Sequence, residues 1–418
     1  MTATQDYMHD RVREWSRRHL SRARARLDAM LGDAYEVGST GAEVRADDGR
    51  VMLNLAGYGV QFLGALHPRV VAAVADQLTK GGISSRVLGD WLAPQAASAL
   101  VSTFARRDLT KVHFVNSGAE ATEAALKLTR AHGVRHVVVM EGGFHGKTMG
   151  ALSLTANPMY QEPFRPLLPD VHQVPFGDVA SVSHALESRG PAAVFVEPVL
   201  GEAGVLFPPE GFLGRLSDLC RRRESLLVVD EIQTGLGRTG VMWAHETDPD
   251  CRPDILLTGK ILSGGLIPVA AMVTTEEVYT PFDTDPLLHT STYACNALAM
   301  RAAIATVEVL HDEALDGRAA RVGSLLGPQL RAASQRRPDV VRAVRGRGCL
   351  WGIECHDEGL AGQIMIGLMD QGILVNHSLN AGSVIRLTPS AYFSQEQVES
   401  VGRALAVVLD EMPVEEGV

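Results

Sequence analysis

Residues 228–240 read VVDEIQTGLGRTG. An apolar run ends on the acidic pair Asp230-Glu231, and Gly235 to Gly240 spell G-L-G-R-T-G. That block fits the dinucleotide pattern G-x-G-x-x-G. A dinucleotide turn, however, follows the first strand of its sheet and runs straight into a helix, whose N-terminus takes the pyrophosphate. Neither condition is met. The apolar run comes late among its kind, residues 230–234 intervene before the first glycine, and the sequence after Gly240, VMWAHETDPDCRPD, is a poor helix. The glycines therefore read as a loop, flexible or tightly turned, and the acids carry more weight. Asp230 directly follows SLLVV (225–229), at the carboxyl end of an expected buried strand. Open α/β sheets bind ligands at that edge. Taken alone, an aspartate that caps a turn suits the position as well.

Working outward, similar runs recur: VHFV (112–115), HVVVM (136–140), AAVFV (192–196), DILL (254–257) and VAAMV (269–273). They are apolar throughout rather than alternating, as parallel strands covered on both faces are. Helical patterns such as 119–131 and 211–223 lie between them, which predicts an α/β sheet with helices on both sides. Helix patterns at 298–311 and 316–336 precede RGCLWGIEC (347–355), which reads as a strand. The expected organisation is a large domain over 66–305 and a smaller α+β domain built from both chain ends, 1–65 and 306–418.

The 418-residue chain is 46% hydrophobic and 21% charged, the composition of a folded protein with a large core. Its formal net charge of -10 argues against bulk nucleic-acid binding, which needs a cationic footprint. Five cysteines without C-x-x-C spacing predict neither a disulfide framework nor a zinc knuckle, and favour a reducing, cytoplasmic setting. No run is long enough to span a bilayer, and no signal-type segment opens the chain. The Arg-rich segment 11–26 reads as a solvated amphipathic helix, because Asp10 and Glu14 sit among its basic residues.

Lys260 sharpens the reading of Asp230. It lies in DILLTGKILSGG, again just past an apolar run, between Gly259 and the pair Gly264-Gly265. Most lysines are solvated. A semi-buried one has a lowered pKa and attacks carbonyls. A lysine for a Schiff base and an aspartate for a pyridine nitrogen suggest pyridoxal phosphate. Asn116-Ser117-Gly118 opens a helix after a strand and offers a phosphate site at the helix start. Ser117 with Glu120 also makes an S-x-x-E capping box, and the two readings are compatible. EGGFHGKT (141–148) presents Phe144, able to stack on a flat cofactor, and His145 among glycines.

With these motifs in view, the chain resembles the class III (ω-type) pyridoxal-phosphate aminotransferases of fold type I. NSGAEATEAALK, GGFHGKTMGALS, EPVLGE, VVDEIQTGLGRTG, LLTGKILSGG, HTSTYACNALA and VIRLTPS look like family motifs in family order. PFRPLLPDVHQVPFGDV (163–179) is similar to the putrescine branch, with ornithine and acetylornithine aminotransferases next. The resemblance implies a large domain with a mostly parallel seven-stranded sheet plus a smaller domain. It also implies pyridoxal 5'-phosphate, an amino donor, an oxo-acid acceptor and a homodimer with shared active sites, with no nucleic-acid or membrane partner. Lys260 would carry the Schiff base and shuttle the proton. Asp230 would keep the pyridine nitrogen protonated, and Gln233 would bind the ring's 3-oxygen. Ile232 and Phe144 would cover the two ring faces, with His145 beside them. Ser117, Gly118 and Ala119 would hold the phosphate, and Thr292 would reach the phosphate of the neighbouring subunit. Arg386 would bind a substrate carboxylate, Glu202 would pair with Arg386 when that carboxylate is lacking, and Tyr58 would line the substrate side.

The chain departs from the family pattern near the expected substrate entrance. Ala294-Cys295 stand where many relatives have two glycines, and Ala297 where they have proline. Ala65-Leu66 follow Gly64, where a histidine is common. Leu200 and Ala203 replace Gln and Gly, and Pro389-Ser390-Ala391-Tyr392 replace a double-Pro-Leu. These changes keep a second outcome open: elimination, γ-replacement or C–C bond formation on an amino acid, run on the same fold and lysine.

Overall fold

Short apolar runs separated by helices can hide both faces only inside a sheet that is covered on both sides. The structure, a computed structural model, describes residues 3–30 and 34–413. Its strands in chain order are β1 (Glu36–Thr40), β2 (Glu43–Ala46), β3 (Val51–Asn54), β4 (Lys111–Val115), β5 (His136–Met140), β6 (Val171–Val174), β7 (Ala192–Val196) and β8 (Leu226–Asp230). Then follow β9 (Ile255–Thr258), β10 (Ala270–Thr274), β11 (Val341–Arg347), β12 (Leu350–Cys355), β13 (Ile373–Leu374), β14 (Asn376–Ser378) and β15 (Ala381–Leu387).

Seven strands form one sheet in the order β4-β10-β9-β8-β7-β5-β6. The six apolar runs of the sequence coincide with strands to within a residue. Two features escaped them. β10 runs antiparallel to both β4 and β9. Its five residues are all buried, and an unbroken apolar run reports burial, not direction. β6 reads V-H-Q-V and lies at the sheet edge beside β5, where polar residues cost little. The remaining pairs, β9-β8-β7-β5-β6, are parallel. The helices Gly118–Ala131 and Phe212–Arg222 match the helical patterns between strands.

β11, β12, β15 and β14 make a second, antiparallel sheet, and the helices Leu315–Ser334, Glu358–Asp370 and Gln395–Glu411 accompany it. The chain ends meet through β3 and β13: Leu53 N–H donates to Gly372 O at 2.8 Å and Leu55 N–H to Leu374 O at 2.9 Å. One hydrophobic cluster runs from Leu256 and Val273 of the large sheet through Leu326 and Leu330 to Ile385 and Leu387 of β15. The C-terminal sheet is therefore held firmly against the large one, and that contact sets where β15 delivers its arginine. Residues 11–26 are helical as expected, across Ala3–Trp15, a short wider turn and Arg22–Met30. Among the described residues, no helix is long and apolar enough to cross a membrane. All five cysteines are free.

The loop Gly235–Gly240 is tight and buried, not flexible. Gly237 and Gly240 have φ of +92° and +90°, which favour glycine. A Cβ on Gly235 would lie 2.6 Å from the ring of Trp243, which is fully buried and stacked 4.7 Å from Phe104. Burying that indole contributes about 2–3 kcal/mol. Glycine at 235 lets the backbone close over it.

Candidate active site

Because β4, β5, β7, β8 and β9 all point the same way, their carboxyl ends crowd one edge of the sheet. The turns that leave them enclose a cavity of about 250 Å³. Gly118 and Ala119 arrive after β4, Phe144 and His145 after β5, and Glu197 and Glu202 after β7. Asp230 closes β8, Ile232 and Gln233 follow it, and Lys260 follows β9.

One end of the cavity is the start of the helix Gly118–Ala131. Its cap, Ser117, accepts from Glu120 N–H at 3.2 Å, as the sequence implies. The glutamate reaches back to Asn116 instead of Ser117: Asn116 N–H donates to Glu120 Oε2 at 2.6 Å. Gly118 and Ala119 line the cavity, whereas Ser117 is exposed outside it. A Cβ on Gly118 would lie 2.7 Å from Ile232 Cδ1, so glycine lets the helix start approach that side chain. First-turn N–H groups have no partner within a helix, and the dipole there favours an anion.

The other end holds Asp230 on a buried proton. His145 Nδ1 donates to Asp230 Oδ2 at 2.7 Å; a carboxylate only accepts, which fixes the tautomer. Ile232 N–H donates to Asp230 Oδ1 at 3.1 Å. Burial disfavours a charge on His145, yet the hydrogen bond and charge of Asp230 outweigh it and raise the imidazole pKa. Glu197, one residue past β7, accepts from Phe144 N–H at 2.9 Å. Burial pushes its carboxyl well above the usual range; His145 opposes and Asp230 adds to the push.

Lys260 donates to Gln233 Oε1 across the cavity. Its backbone takes a left-handed φ of +44° after Gly259, whose Cβ would meet that of Ala270 at 3.1 Å. Burial lowers the amine's pKa to about 8; Glu202 resists this and Arg386 reinforces it. A fraction of the amine is thus free base at neutral pH, as a nucleophile requires.

Behind the lysine, Glu202 Oε1 forms an ion pair with Arg386 Nη1 of β15, both side chains being almost wholly buried. Burial alone would raise the carboxyl, but Arg386, Lys260 and the Leu379 N–H keep it below its ordinary value. Among the described residues, Arg386 Nη2 has no hydrogen-bond partner. Besides Ser117, and Arg386 behind Glu202, two further sequence-derived candidates lie outside the cavity lining. Tyr58 is exposed on a left-handed turn of φ +52°. Thr292 is exposed, its carbonyl accepting from Arg86 Nη2 at 2.6 Å.

The cavity fits pyridoxal phosphate. It has an anion-favouring helix start at one end, a carboxylate at the other, apolar walls in Phe144 and Ile232, and an amine within reach. Gln233 Nε2 and His145 Nε2 are buried there without partners among the described residues. Unpaired buried polar atoms are costly, so a polar occupant is expected.

Sequence reasoning missed three contributors. Glu197 sits past a strand end as Asp230 does, and the same rule would have found it. Arg238, inside the opening stretch, is fully buried. Its guanidinium donates to Gly59 O at 2.8 Å, Cys349 O at 3.0 Å and Pro389 O at 2.7 Å. Asn380 had no sequence signal. One departure also proves structural: Tyr392 donates to Glu313 Oε2 at 2.6 Å, away from the cavity.

Residues 33–409 match the sequence profile described as aminotransferase class-III. The fold is similar to that of ornithine aminotransferase from Toxoplasma gondii, at 29% identity, 98% coverage of both chains and a TM-score of 0.85; that structure has partial occupancy of PLP at its active site. Acetylornithine aminotransferase from Elizabethkingia anophelis matches at 28% identity, over 93% of this chain and 98% of its own, with a TM-score of 0.79. Adenosylmethionine-8-amino-7-oxononanoate aminotransferase from Methanocaldococcus jannaschii shares the fold at 24% identity, over 97% and 100%, with a TM-score of 0.88. The strand-end lysine, the strand-end aspartate and the match along nearly the whole chain lead to one conclusion: the chain belongs to the class III family of pyridoxal-phosphate-dependent aminotransferases.

Proposed function

We propose that this enzyme moves a terminal amino group from an amine or amino acid to a 2-oxo acid, in two half-reactions sharing one cavity. Pyridoxal phosphate supplies the electron sink that lets the C–H bond beside the transferred nitrogen break as a proton. The helix start at Gly118 and Ala119, with Ser117 at its rim, takes the phosphate. Asp230, braced by His145, holds a proton on the ring nitrogen, and Gln233 offers its free Nε2 amide to the ring oxygen. Phe144 and Ile232 exclude water from the ring faces. Lys260 would hold the group through its amine and, with the substrate in place, would take the proton from the substrate carbon. Its lowered pKa suits it to both roles.

The buried pair Glu202–Arg386 carries the terminal-amine reading. A donor without a carboxylate at this position leaves the pair intact, so no buried cation is stranded. A 2-oxo acid brings its own carboxylate to Arg386 and displaces Glu202. The family and the relatives at 28–29% identity are aminotransferases, which favours transamination over elimination, γ-replacement or C–C bond formation. The test is a panel of ω-amino and α-amino donors offered to the holoenzyme without acceptor. Conversion of the bound cofactor to its amino form by ω-donors is expected. A panel in which α-amino acids alone convert it overturns the reading.

The reading includes a homodimer in which Thr292 serves the partner's phosphate site. Leu88, Trp91, Leu287 and Tyr293 are exposed on its own segment and on one linked to it through Arg86, which supports a covering copy. Sedimentation at micromolar concentration tests it, and a monomeric holoenzyme overturns it.

A further inference from the structure

The turn between β14 and β15, Ser378-Leu379-Asn380, makes polar contacts beyond the needs of its own hairpin. Ser378 Oγ donates to Gly201 O at 3.3 Å. Leu379 N–H donates to Glu202 Oε2 at 2.9 Å, and Leu379 O accepts from Tyr160 Oη at 2.8 Å. Asn380 N–H donates to Glu202 O at 2.9 Å. The Asn380 side chain donates through Nδ2 to Gly142 O at 2.9 Å and Gly143 O at 3.3 Å, and accepts through Oδ1 from Asn157 Nδ2 at 3.0 Å. Three segments that connect strands of the large sheet, 142–143, 157–160 and 201–202, are thereby tied to one turn.

We propose that this turn is a latch that holds Glu202 on Arg386, and that Asn380 is the positioning residue that keeps the latch shut. The proposal rests on the reading of Glu202 and Arg386 as the carboxylate switch, and deepens it. The two oxygens of Glu202 are divided: Oε1 goes to Arg386 and Oε2 to the Leu379 N–H. For a substrate carboxylate to reach Arg386, Glu202 must leave both, and the Leu379 donor is then stranded. Arg386 and the turn belong to the same hairpin, so the strand that carries the cation also fixes the group that masks it. Asn380 holds the turn down from the far side, through carbonyls that precede Phe144. Ala203 packs close against Gly142: its Cβ lies 2.9 Å from where a Cβ on Gly142 would be. The latch therefore raises the cost of binding carboxylates relative to plain amines.

The test uses glutarate, an unreactive dicarboxylate, titrated into the holoenzyme while the cofactor absorbance is followed. Glu202→Ala removes the mask and is expected to tighten glutarate binding at least tenfold. Asn380→Ala and, separately, Tyr160→Phe are expected to tighten it severalfold, up to roughly the tenfold of one buried donor. Asn380→Ala added to Glu202→Ala is expected to bring no further gain, because the latch acts only through that carboxylate. A purely structural role for Asn380 would lower the melting temperature and leave glutarate affinity unchanged. If Glu202→Ala tightens glutarate while both latch variants stay within twofold of wild type, the latch is overturned and the switch stands. If Glu202→Ala has no effect, switch and latch fall together. Should Asn380→Ala not fold, Tyr160→Phe decides, since it removes one hydroxyl from the turn's outer side.

Discussion

His145 Nδ1 stands 2.7 Å from Asp230 Oδ2, with both side chains almost wholly buried. The pair joins the turn after β5 to the end of β8, out of reach of water. His145→Ala is expected to destabilise the apoprotein by about 2 kcal/mol, since one buried acceptor loses its donor. The pH sign follows from the direction of the shift. The imidazole pKa is raised in the fold, so its contribution is full below about pH 6.5, the ordinary histidine value, and is lost as pH rises through the folded value. Urea unfolding of both proteins from pH 5.5 to 9 checks this; a penalty that grows with pH contradicts it.

Lys260 is expected to cost the empty enzyme stability. Below pH 8 it is protonated in both states, and the fold bears a buried charge. Between about pH 8 and 10.5 the folded state has lost that proton while the unfolded chain keeps it, so stability rises with pH. Lys260→Met is therefore expected to stabilise the apoprotein by about 1–3 kcal/mol at pH 7, with the advantage shrinking above pH 8. The same variant is expected to lose transamination by more than about a thousandfold, the upper range for a general base that also binds covalently. Denaturation midpoints at pH 7 and 9.5, and single-turnover rates, measure the two effects.

Gly118→Ala separates cofactor binding from folding. The atoms nearest its Cβ all belong to the Ile232 side chain, Cδ1 at 2.7 Å, Cγ2 at 3.1 Å and Cγ1 at 3.4 Å, and that side chain borders the cavity into which it can shift. The expected outcome is a stability change under about 1 kcal/mol and a roughly tenfold weaker cofactor affinity. Equilibrium dialysis against pyridoxal phosphate, beside a melting curve, distinguishes this from global damage.

Arg238→Met tests the true role of the glycine-rich loop. Three buried carbonyls, on Gly59, Cys349 and Pro389, lose their donor together. Burial pulls the guanidinium down to about 10, so it remains charged at neutral pH. A loss of roughly 3–5 kcal/mol is expected, from about 1–3 kcal/mol per stranded carbonyl with partial relaxation. Chemical denaturation reads it directly, and a loss under about 1 kcal/mol would show that the carbonyls find other partners.

The central sheet was legible because each apolar run encodes burial within four or five consecutive residues. Asp230 and Lys260 were legible for a related reason: each lies at or just past the carboxyl end of such a run, the edge where open α/β sheets bind ligands. The direction of β10 was not legible, since burial on both faces looks alike in either direction. Nor was the edge strand β6, whose polar residues hide its period.

What the sequence by itself determined is therefore the sheet, its ligand edge and the lysine and aspartate placed there, all encoded by residues close together along the chain. The tertiary structure decided who partners whom: His145 on Asp230, Glu202 on Arg386, Arg238 on three distant carbonyls and Asn380 on the turn before Phe144. A buried polar group must find a partner, but any donor or acceptor of suitable chemistry satisfies it. The choice falls to whichever segment the packed core brings within about 3 Å, and no local pattern in the sequence records that approach.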